Sequence, residues 1–322
     1  MNNVRWSYAI NQWRTVETDL ARLDQMESAF KTISVCGFEA IEITDAALGG
    51  HTIPAYFGSP ANFLEFLRSC GLACVSSHFT GLDHGNPSAP ADHERMASSA
   101  ARAAGFLADL GGSRLVVRPC GPYWKEAPIT DEKIRVLADC WNKVGAATKA
   151  AGIKTAVHFD FLGGIRSKNH IHTLLTMTDP ELVHVALDTA DFTIAGLDPV
   201  AFLKEHGARV AHVHFKDTTV VDGFDEYARE NAEMEYWPAP IITAGVERGI
   251  DRWYYEMGTP DGLVDFPAIV SALSEIAYAG WIVAESDQSP HVEESVMLNG
   301  WYKKRLLAEM SKLPGFQGCK AE

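Results

Sequence analysis

The sequence predicts a single-domain α/β fold, a (β/α)₈ barrel in which eight parallel strands close into a cylinder inside a layer of helices. Three observations predict it. Short β-rich runs alternate with amphipathic helical stretches along the 322 residues, glycine follows many of the helical stretches, and no glycine-rich nucleotide loop follows the first strand. The length suits such a barrel, which takes roughly 250 residues before insertions.

The strands are predicted from short runs rich in branched and aromatic residues. A helical stretch separates most of them, as expected for parallel strands joined by crossover helices. In chain order the runs are WSYAIN near residue 6, FEAIEI near 38, LACVSSH near 72, RLVVRP near 114, KTAVHF near 154, HVALD near 184, RVAHVHF near 209 and WIVAES near 281.

The helices are predicted from apolar residues spaced three and four positions apart, as in TDLARLDQMESAFKTISV, ADHERMASSAARAAGFLADL, DEKIRVLADCWNKVGAATKAA, DPVAFLKEH and FPAIVSALSEIAY. Glycine in the left-handed conformation commonly stops a helix before the next strand. Such stops are predicted at Gly37, Gly71, Gly111 with Gly112, Gly152, Gly207 and Gly280.

An open, doubly wound sheet is the structural alternative to a barrel. That fold usually carries a glycine-rich nucleotide loop after its first strand. Here the first strand is followed by NQWRTVETD, which contains neither GxGxxG nor GxxxxGK. Eight strand–helix units without a break therefore favour closure into a barrel.

One connection is much longer than the others. The seventh strand ends near Phe215 and the eighth begins near Trp281, so about fifty residues remain even after one helix is allowed for. A loop of this length is usually functional, and the segment 218–264 is expected to cover the barrel mouth or to contact another chain. A structural elaboration under the barrel or in a dimer interface is the alternative. The barrel domain is placed at 1–310, followed by a tail at 311–322.

Composition and charge limit the classes of partner. The net charge of −14 argues against nucleic acid, whose phosphates require clustered Lys and Arg. No apolar run approaches the roughly 18 residues of a membrane span, and the N-terminus lacks a signal-peptide pattern, so a cytoplasmic location is expected. The six cysteines include no CxxC pair and are expected to be mostly small buried residues.

Ionisable residues recur at the ends of the predicted strands, where barrel enzymes carry their catalytic groups. His158, Asp188, His214 and Glu285 belong to four consecutive strands. Two imidazoles and two carboxylates suit a divalent cation, with Mn²⁺ favoured and Co²⁺, Fe²⁺, Mg²⁺ and Zn²⁺ as alternatives. Each residue alone could be a helix cap, a salt-bridge partner or a core histidine. Their convergence favours a metal site over a salt-bridge network.

Other polar residues near the strand ends are candidates for catalysis and substrate binding. Side-chain alternation places His212, His214 and Lys216 on one face of the seventh strand, and His158 and Asp160 on one face of the fifth. The candidates for proton transfer are His158, Asp160, Lys216 and His78. The candidates for substrate contacts are Glu42, Arg118, His212, Asp191 and Trp13.

Two blocks of sequence resemble a known family. LDTADFTIAGLDPVAFLKEHGARVAHVHFKD is similar to the block that joins the sixth and seventh strands of inosose dehydratases, and GLVDFPAIVSALSEIAYAGWIVAESDQ is similar to their eighth-strand block. Essentially the whole chain, most clearly 154–301, resembles the xylose isomerase-like TIM barrel superfamily of sugar isomerases, epimerases and dehydratases. The resemblance implies metal ligands at Asp188, His214 and Glu285.

The chain departs from that family pattern at two positions. The family commonly has Glu at the end of the fifth strand, where this chain has His158, so Asp160 stays an alternative fourth ligand. The family also often has His three residues after the sixth-strand Asp, where this chain has Asp191. The second departure weakens a transfer of epimerase substrate contacts to this chain.

A second resemblance concerns the substrate and the partners. The long insertion and the stretches ERGIDRWYYEMGTPDG and SDQSPHVEESVMLNGWYKKRLL are similar to superfamily members that cleave 3-keto-glycosides. These include the large subunits of C-glycoside deglycosidases, which act with a small β-rich partner chain. The resemblance implies a keto-sugar substrate and such a partner subunit. A homo-oligomer is the assembly expected otherwise.

Taken together, these features predict a metal-dependent lyase that performs β-elimination on a keto-sugar or keto-cyclitol. A base removes the proton next to the ketone, and the β substituent then leaves. The end of the fifth strand, VHFDF, offers a ligand and an acid–base group two residues apart, whereas an epimerase usually needs two carboxylates across the metal. A keto-sugar isomerase or epimerase is the first alternative, and a non-catalytic sugar-binding barrel is the second.

Overall fold

Eight parallel strands form one closed barrel, which confirms the predicted fold class. Neighbouring strands pair in chain order, and the eighth strand closes the barrel against the first, with Tyr8 opposite Ala284. The residues that the computed structural model describes are 4–14, 23–48, 52–222 and 250–311.

Each predicted β-rich run overlaps one strand of four to six residues. All eight point the same way, so their C-terminal ends form one rim, which is where barrel enzymes carry their active sites. The strands are β1 (Arg5–Ala9), β2 (Ala40–Thr44), β3 (Cys74–Phe79), β4 (Arg114–Val117), β5 (Lys154–His158), β6 (Val183–Asp188), β7 (Val210–Phe215) and β8 (Trp281–Ala284).

Helices surround the barrel at the predicted stretches and at several further places. The described helices are α1 (Leu23–Val35), α2 (Asp45–Leu48), α3 (Thr52–Phe57), α4 (Pro60–Ser69), α5 (His93–Asp109), α6 (Tyr123–Glu126), α7 (Asp131–Lys149), α8 (Lys168–Met177), α9 (Thr189–Ile194), α10 (Pro199–His206), α11 (Phe266–Glu275) and α12 (Val292–Met310). Four of them, α2, α3, α6 and α9, have four to six residues and are too short to show an apolar period in the sequence.

The core has an apolar outer layer and a partly polar barrel interior. Between helices and strands, large side chains such as Phe30 and Trp141 are almost completely buried. Inside the barrel, the hydroxyls of Ser7 and Ser76 hydrogen bond at 2.8 Å, and the carboxylate of Glu42 is 1% exposed. Branched apolar residues usually fill this space. The polar side chains of the interior include Glu42, which contacts His214 at the C-terminal rim.

The glycine pattern is confirmed in four connections and wrong in two. Left-handed glycines follow the helices at Gly37, Gly71, Gly111 and Gly152. Gly207 has φ −54°, and a Cβ there would meet Ile276 Cγ2 at 2.7 Å, so close packing explains the glycine. Gly280 does not adopt positive φ either, and a Cβ there would collide with the Tyr278 hydroxyl. The left-handed residue after α11 is Ala277.

The long connection between β7 and β8 returns to the end of β7. Asp217 and Tyr255 form an antiparallel bridge, and the Asp217 carboxylate accepts hydrogen bonds from two backbone N–H groups of the returning segment, at 3.0 and 3.2 Å. Residues 250–264 are therefore attached to the C-terminal rim. The middle of the insertion, 223–249, lies outside the described residues.

The domain limits stay a prediction. Of the tail placed at 311–322, only Ser311 falls within the described part of the chain. In the four described ranges, the structure has no helix that is both long enough and apolar enough to cross a membrane.

Candidate active site

Four side chains from consecutive strands converge at the C-terminal rim, and we call them the convergent set. They are His158, Asp188, His214 and Glu285, and all are buried. Asp188 Oδ2 lies 3.3 Å from His158 Nε2 and 3.6 Å from His214 Nδ1. Glu285 Oε2 lies 3.2 Å from the same His214 nitrogen. The ends of β5 to β8 thus bring together the four residues that the sequence proposes as metal ligands.

The convergent set has the donor atoms that a divalent transition-metal ion requires. Ligand atoms of His158, Asp188 and His214 lie within 4.8 Å of one another. The buried His214 Nδ1 lies 3.6 Å from Asp188 Oδ2 and 3.2 Å from Glu285 Oε2 but makes no hydrogen bond among the described residues. Buried polar atoms are normally paired. The residues present therefore fit a bound cation.

Lys216 places a positive charge beside the convergent set. Its ammonium lies 3.2 Å from Asp188 Oδ2, 3.0 Å from Glu285 Oε2 and 2.8 Å from Asp287 Oδ2. It also lies 4.1 Å from the centroid of the Tyr254 ring. Burial opposes this charge, but the three carboxylates outweigh it and raise the pKa of Lys216 well above its ordinary value. Lys216 thus places a buried ammonium against three carboxylates of the site.

Glu42 supports His214 from the barrel interior. Its Oε1 lies 3.0 Å from His214 Nε2, and its Oε2 lies 2.9 Å from His212 Nε2. Ser77 Oγ donates a third hydrogen bond, at 2.7 Å. Burial opposes the carboxylate charge, but the two imidazoles outweigh it and hold the pKa of Glu42 well below its usual value. A proton on His214 Nε2 leaves the lone pair of Nδ1 directed at the convergent set.

Asp191 is a buried carboxyl group at the edge of the site. Its Oδ1 accepts hydrogen bonds from the Tyr254 hydroxyl at 2.9 Å and from the backbone N–H of Phe161 at 3.0 Å. Its Oδ2 lies 3.6 Å from His158 Nε2. Burial, followed by two neighbouring carboxylates, raises the pKa of Asp191 well above its ordinary value.

Arg118 and Asp160 form an ion pair between the loops that follow β4 and β5. The Arg118 Nε donates to Asp160 Oδ2 at 3.1 Å, and its guanidinium lies 4.7 Å from the centroid of the Phe79 ring. Phe79 in turn packs edge-on against His158, with the ring centroids 5.2 Å apart. Asp160 Oδ1 accepts a hydrogen bond from the backbone N–H of Leu162 at 2.9 Å. These contacts fix the Asp160 carboxylate two residues beyond His158.

The structure places His78 and Trp13 away from these contacts. His78 Nε2 lies 2.8 Å from Asp45 Oδ1, and the same carboxylate accepts a hydrogen bond from the N–H of Gly81. Trp13 is 4% exposed and packs edge-on against Tyr8, with the ring centroids 6.2 Å apart. Roles for His78 in proton transfer and for Trp13 in substrate binding stay predictions.

The predicted face alternation on β7 is confirmed, because His212 and His214 share Glu42 and Lys216 reaches Asp188. Glu42 and His212 are 1% and 0% exposed and lie against His214 rather than at an open surface. Their proposed role as substrate contacts is untested, and the geometry favours support of His214 instead.

Three further residues of the site are not among the candidates from the sequence. Asn11 Nδ2 donates to both Glu285 and Asp287. Asn11 follows β1, and Asp287 follows Glu285 by two positions. Their place just beyond strand ends could have identified both as site residues from the sequence. Tyr254 comes from the insertion, where only the general aromatic content pointed to a role.

Comparisons with known proteins agree with the barrel fold. A family model described as xylose isomerase-like TIM barrel matches residues 30–304. The inosose dehydratase of Lacticaseibacillus casei is 25% identical over 282 residues, which cover 84% of this chain and 85% of that protein. Two solved structures share the fold. L-ribulose 3-epimerase has a TM-score of 0.67 at 17% identity, with 97% and 99% of the two chains covered. The IOLI protein with a binding zinc atom has a TM-score of 0.68 at 15% identity, with 97% and 100% covered.

Proposed function

Because the chain belongs to the xylose isomerase-like TIM barrel family, we propose that it is a metal-dependent lyase that performs β-elimination on a keto-sugar or keto-cyclitol. The observation that carries the proposal is the convergent set, whose four donors meet at the rim where this architecture places catalysis. The similarity to an inosose dehydratase supports an enzyme that acts on this class of substrate. A zinc atom in the IOLI structure supports a divalent cation as the cofactor, with Mn²⁺ as our first choice for this chain.

The convergent set would hold the cation through one imidazole nitrogen or carboxylate oxygen from each residue. A cation bound there supplies a Lewis acid that polarises a keto oxygen, worth several kcal/mol of barrier. Lys216 adds a fixed positive charge next to the same oxygen atoms of Asp188 and Glu285. The buried surroundings exclude water and strengthen these electrostatic interactions.

Two groups that follow the ends of β5 and β7 are assigned to move protons. Asp160 is held by Arg118 and by a backbone N–H, and we assign it as the base that takes the proton next to the ketone. Lys216 is assigned as the acid that protonates the departing oxygen, since its carboxylate neighbours keep it charged. His78 stays a second candidate for the acid. A positioned acid or base of this kind contributes about 10²–10⁴-fold in rate.

Glu42 is assigned as a positioning residue for His214, and Glu42→Gln tests this role. The substitution keeps the size of the side chain but removes the charge that two imidazoles share. We expect the metal affinity to fall by about 10–100-fold, the range typical of outer-sphere partners of a ligating histidine. Chelator competition measures the affinity without any need for turnover. Glu39→Gln, at an exposed position before the same strand, is the matched control and should keep wild-type affinity.

Mass spectrometry of the reaction products tests the proposed function. The metal-loaded protein is incubated with a 3-keto-glucoside and, separately, with a keto-inositol. Loss of water or of the glycosidic substituent is the expected result, and Asp160→Asn should lower its rate by about 10²-fold or more. Asp179→Asn, an exposed residue before β6, is the control. A product of unchanged mass with altered stereochemistry or carbonyl position would replace the lyase by the isomerase or epimerase alternative.

An assembly of this chain with a second copy or a small β-rich subunit stays a prediction. An exposed apolar stripe on α12 supports it. Met297, Leu298 and Trp301 are 56%, 44% and 54% exposed. Neighbouring apolar side chains at a helix surface are typical of contact sites between proteins.

A further inference from the structure

Two outer helices bring together three metal-ligating side chains that share no residue with the convergent set, and we call them the surface cluster. His172 lies on α8, and Glu205 and His206 are the last two residues of α10. One ligand atom from each residue lies within 4.8 Å of the other two. The two imidazole rings have their centroids 5.6 Å apart. The surface cluster therefore joins two helices that follow different strands of the barrel.

The Glu205 carboxylate divides its two oxygen atoms between Lys168 and His206. Its Oε2 lies 2.9 Å from the Lys168 ammonium. Its Oε1 lies 3.5 Å from His206 Nε2, a distance too long for a normal hydrogen bond between nitrogen and oxygen. Lys168 thus orients the carboxylate and leaves Oε1 on the side of the imidazoles, where an ion could join the two donor atoms.

The imidazole of His206 is held in place by aromatic packing. Its ring centroid lies 4.9 Å from that of Phe202, which in turn packs edge-on at 4.8 Å against the buried Phe192. The His206 side chain is 14% exposed, and burial lowers its pKa, so the ring is neutral at neutral pH. A neutral, fixed imidazole loses neither a proton nor much conformational freedom when it binds an ion.

The charges around the surface cluster partly offset one another. His206 ends α10, where the helix dipole is negative and favours a cation. The Lys168 ammonium opposes a cation, but its side chain is 67% exposed and well solvated. Arg209 is held by the backbone carbonyls of Leu175 at 2.7 Å and Val183 at 2.9 Å. Binding must therefore come mainly from the ligand bonds rather than from net charge.

This ligand set selects a particular class of metal ion. Two imidazoles and one carboxylate form a set that zinc uses in proteins, with a fourth position left for water. Imidazole also suits copper and nickel, whereas Mn²⁺ binds most weakly among the first-row divalent ions. The surface cluster is thus suited to Zn²⁺ rather than to Mn²⁺ or Mg²⁺.

We propose that His172, Glu205 and His206 form a second metal site, which binds a zinc-class ion and ties α8 to α10 on the outside of the barrel. This inference goes beyond the proposed function, because it involves neither a substrate nor turnover. The site is exposed and offers only three protein donors, so mild chelation empties it. A chain that is chelated in this way and reloaded with Mn²⁺ carries an ion at the convergent set alone.

Equilibrium dialysis of the full-length protein against Zn²⁺, followed by elemental analysis, tests the second site. Wild type should hold two divalent ions per chain. His172→Gln removes one of three ligands at an exposed position and should weaken the second ion by about 100-fold or more, because even an outer-sphere partner of a ligating histidine contributes about 10–100-fold. Glu205→Gln should act in the same direction. His291→Gln, at an exposed histidine before α12, is the matched control and should keep both ions.

The same dialysis separates the two sites, since Glu285→Ala should lose the ion of the convergent set and keep that of the surface cluster. Thermal unfolding supplies a second readout. An ion that binds the folded chain raises the unfolding midpoint, so Zn²⁺ added to the Mn²⁺-loaded protein should raise it more in wild type than in His172→Gln. A single ion in wild type, or a second ion held equally by wild type, His172→Gln and Glu205→Gln, would overturn the proposal.

Discussion

Replacement of Glu285 by alanine should empty the proposed metal site and lower activity on a keto-sugar by about 10³-fold or more. The carboxylate supplies one of four donors, and its Oε2 lies 3.2 Å from His214 Nδ1 within the convergent set. A Lewis acid contributes several kcal/mol to such a reaction, and each 1.36 kcal/mol is a factor of ten in rate. Elemental analysis after mild chelation and Mn²⁺ reloading should give one tightly held ion per wild-type chain and less than one in the variant.

A surface cluster on the outside of the barrel provides the control for this experiment. His172, Glu205 and His206 also bring three potential ligand atoms within 4.8 Å, but His172 and Glu205 are exposed. The Glu205 carboxylate is already paired with Lys168 at 2.9 Å. Glu205→Ala should therefore leave both the tightly held ion and the activity unchanged. Equal metal content in wild type and Glu285→Ala, with a loss in Glu205→Ala, would move the site to the surface.

The barrel was predictable because its signal repeats. Eight β-rich runs separated by helical stretches allow few topologies, and the rule that catalytic groups lie at the C-terminal rim then brings distant residues together. His158 and Glu285 are 127 positions apart in sequence, yet each belongs to a strand end, so their convergence with Asp188 and His214 followed from the fold class alone.

The contacts of the residues around the convergent set could not be predicted in the same way. Glu42 lies on β2 and could point to the rim or to the interior, and only the shear of the closed barrel places its carboxylate beneath His214. His78 is engaged by Asp45 from the short helix α2, which has no periodic signal. Tyr254 reaches Asp191 from an insertion whose path no local pattern determines.

Lys216→Met should separate the structural role of the buried ammonium from its role in proton transfer. Lys216 is 2% exposed, and removal of its charge leaves Asp188, Glu285 and Asp287 facing one another. Loss of one partner from a buried charge cluster costs about 3–5 kcal/mol. For a chain of this size, the unfolding midpoint of the metal-free protein should fall by about 5 °C.

The same substitution should tighten metal binding while it abolishes turnover. A cation at the convergent set no longer experiences repulsion from the ammonium, so saturating Mn²⁺ should raise the unfolding midpoint more in Lys216→Met than in wild type. Activity of the loaded variant should nevertheless fall by about 10²–10⁴-fold, because the acid is missing. Lys143→Met is the matched control, since the exposed Lys143 pairs only with exposed carboxylates and should shift the midpoint by less than about 1 °C. If metal affinity and activity decline together in Lys216→Met, the ammonium organises the site instead of donating a proton, and the acid must then be sought at His78.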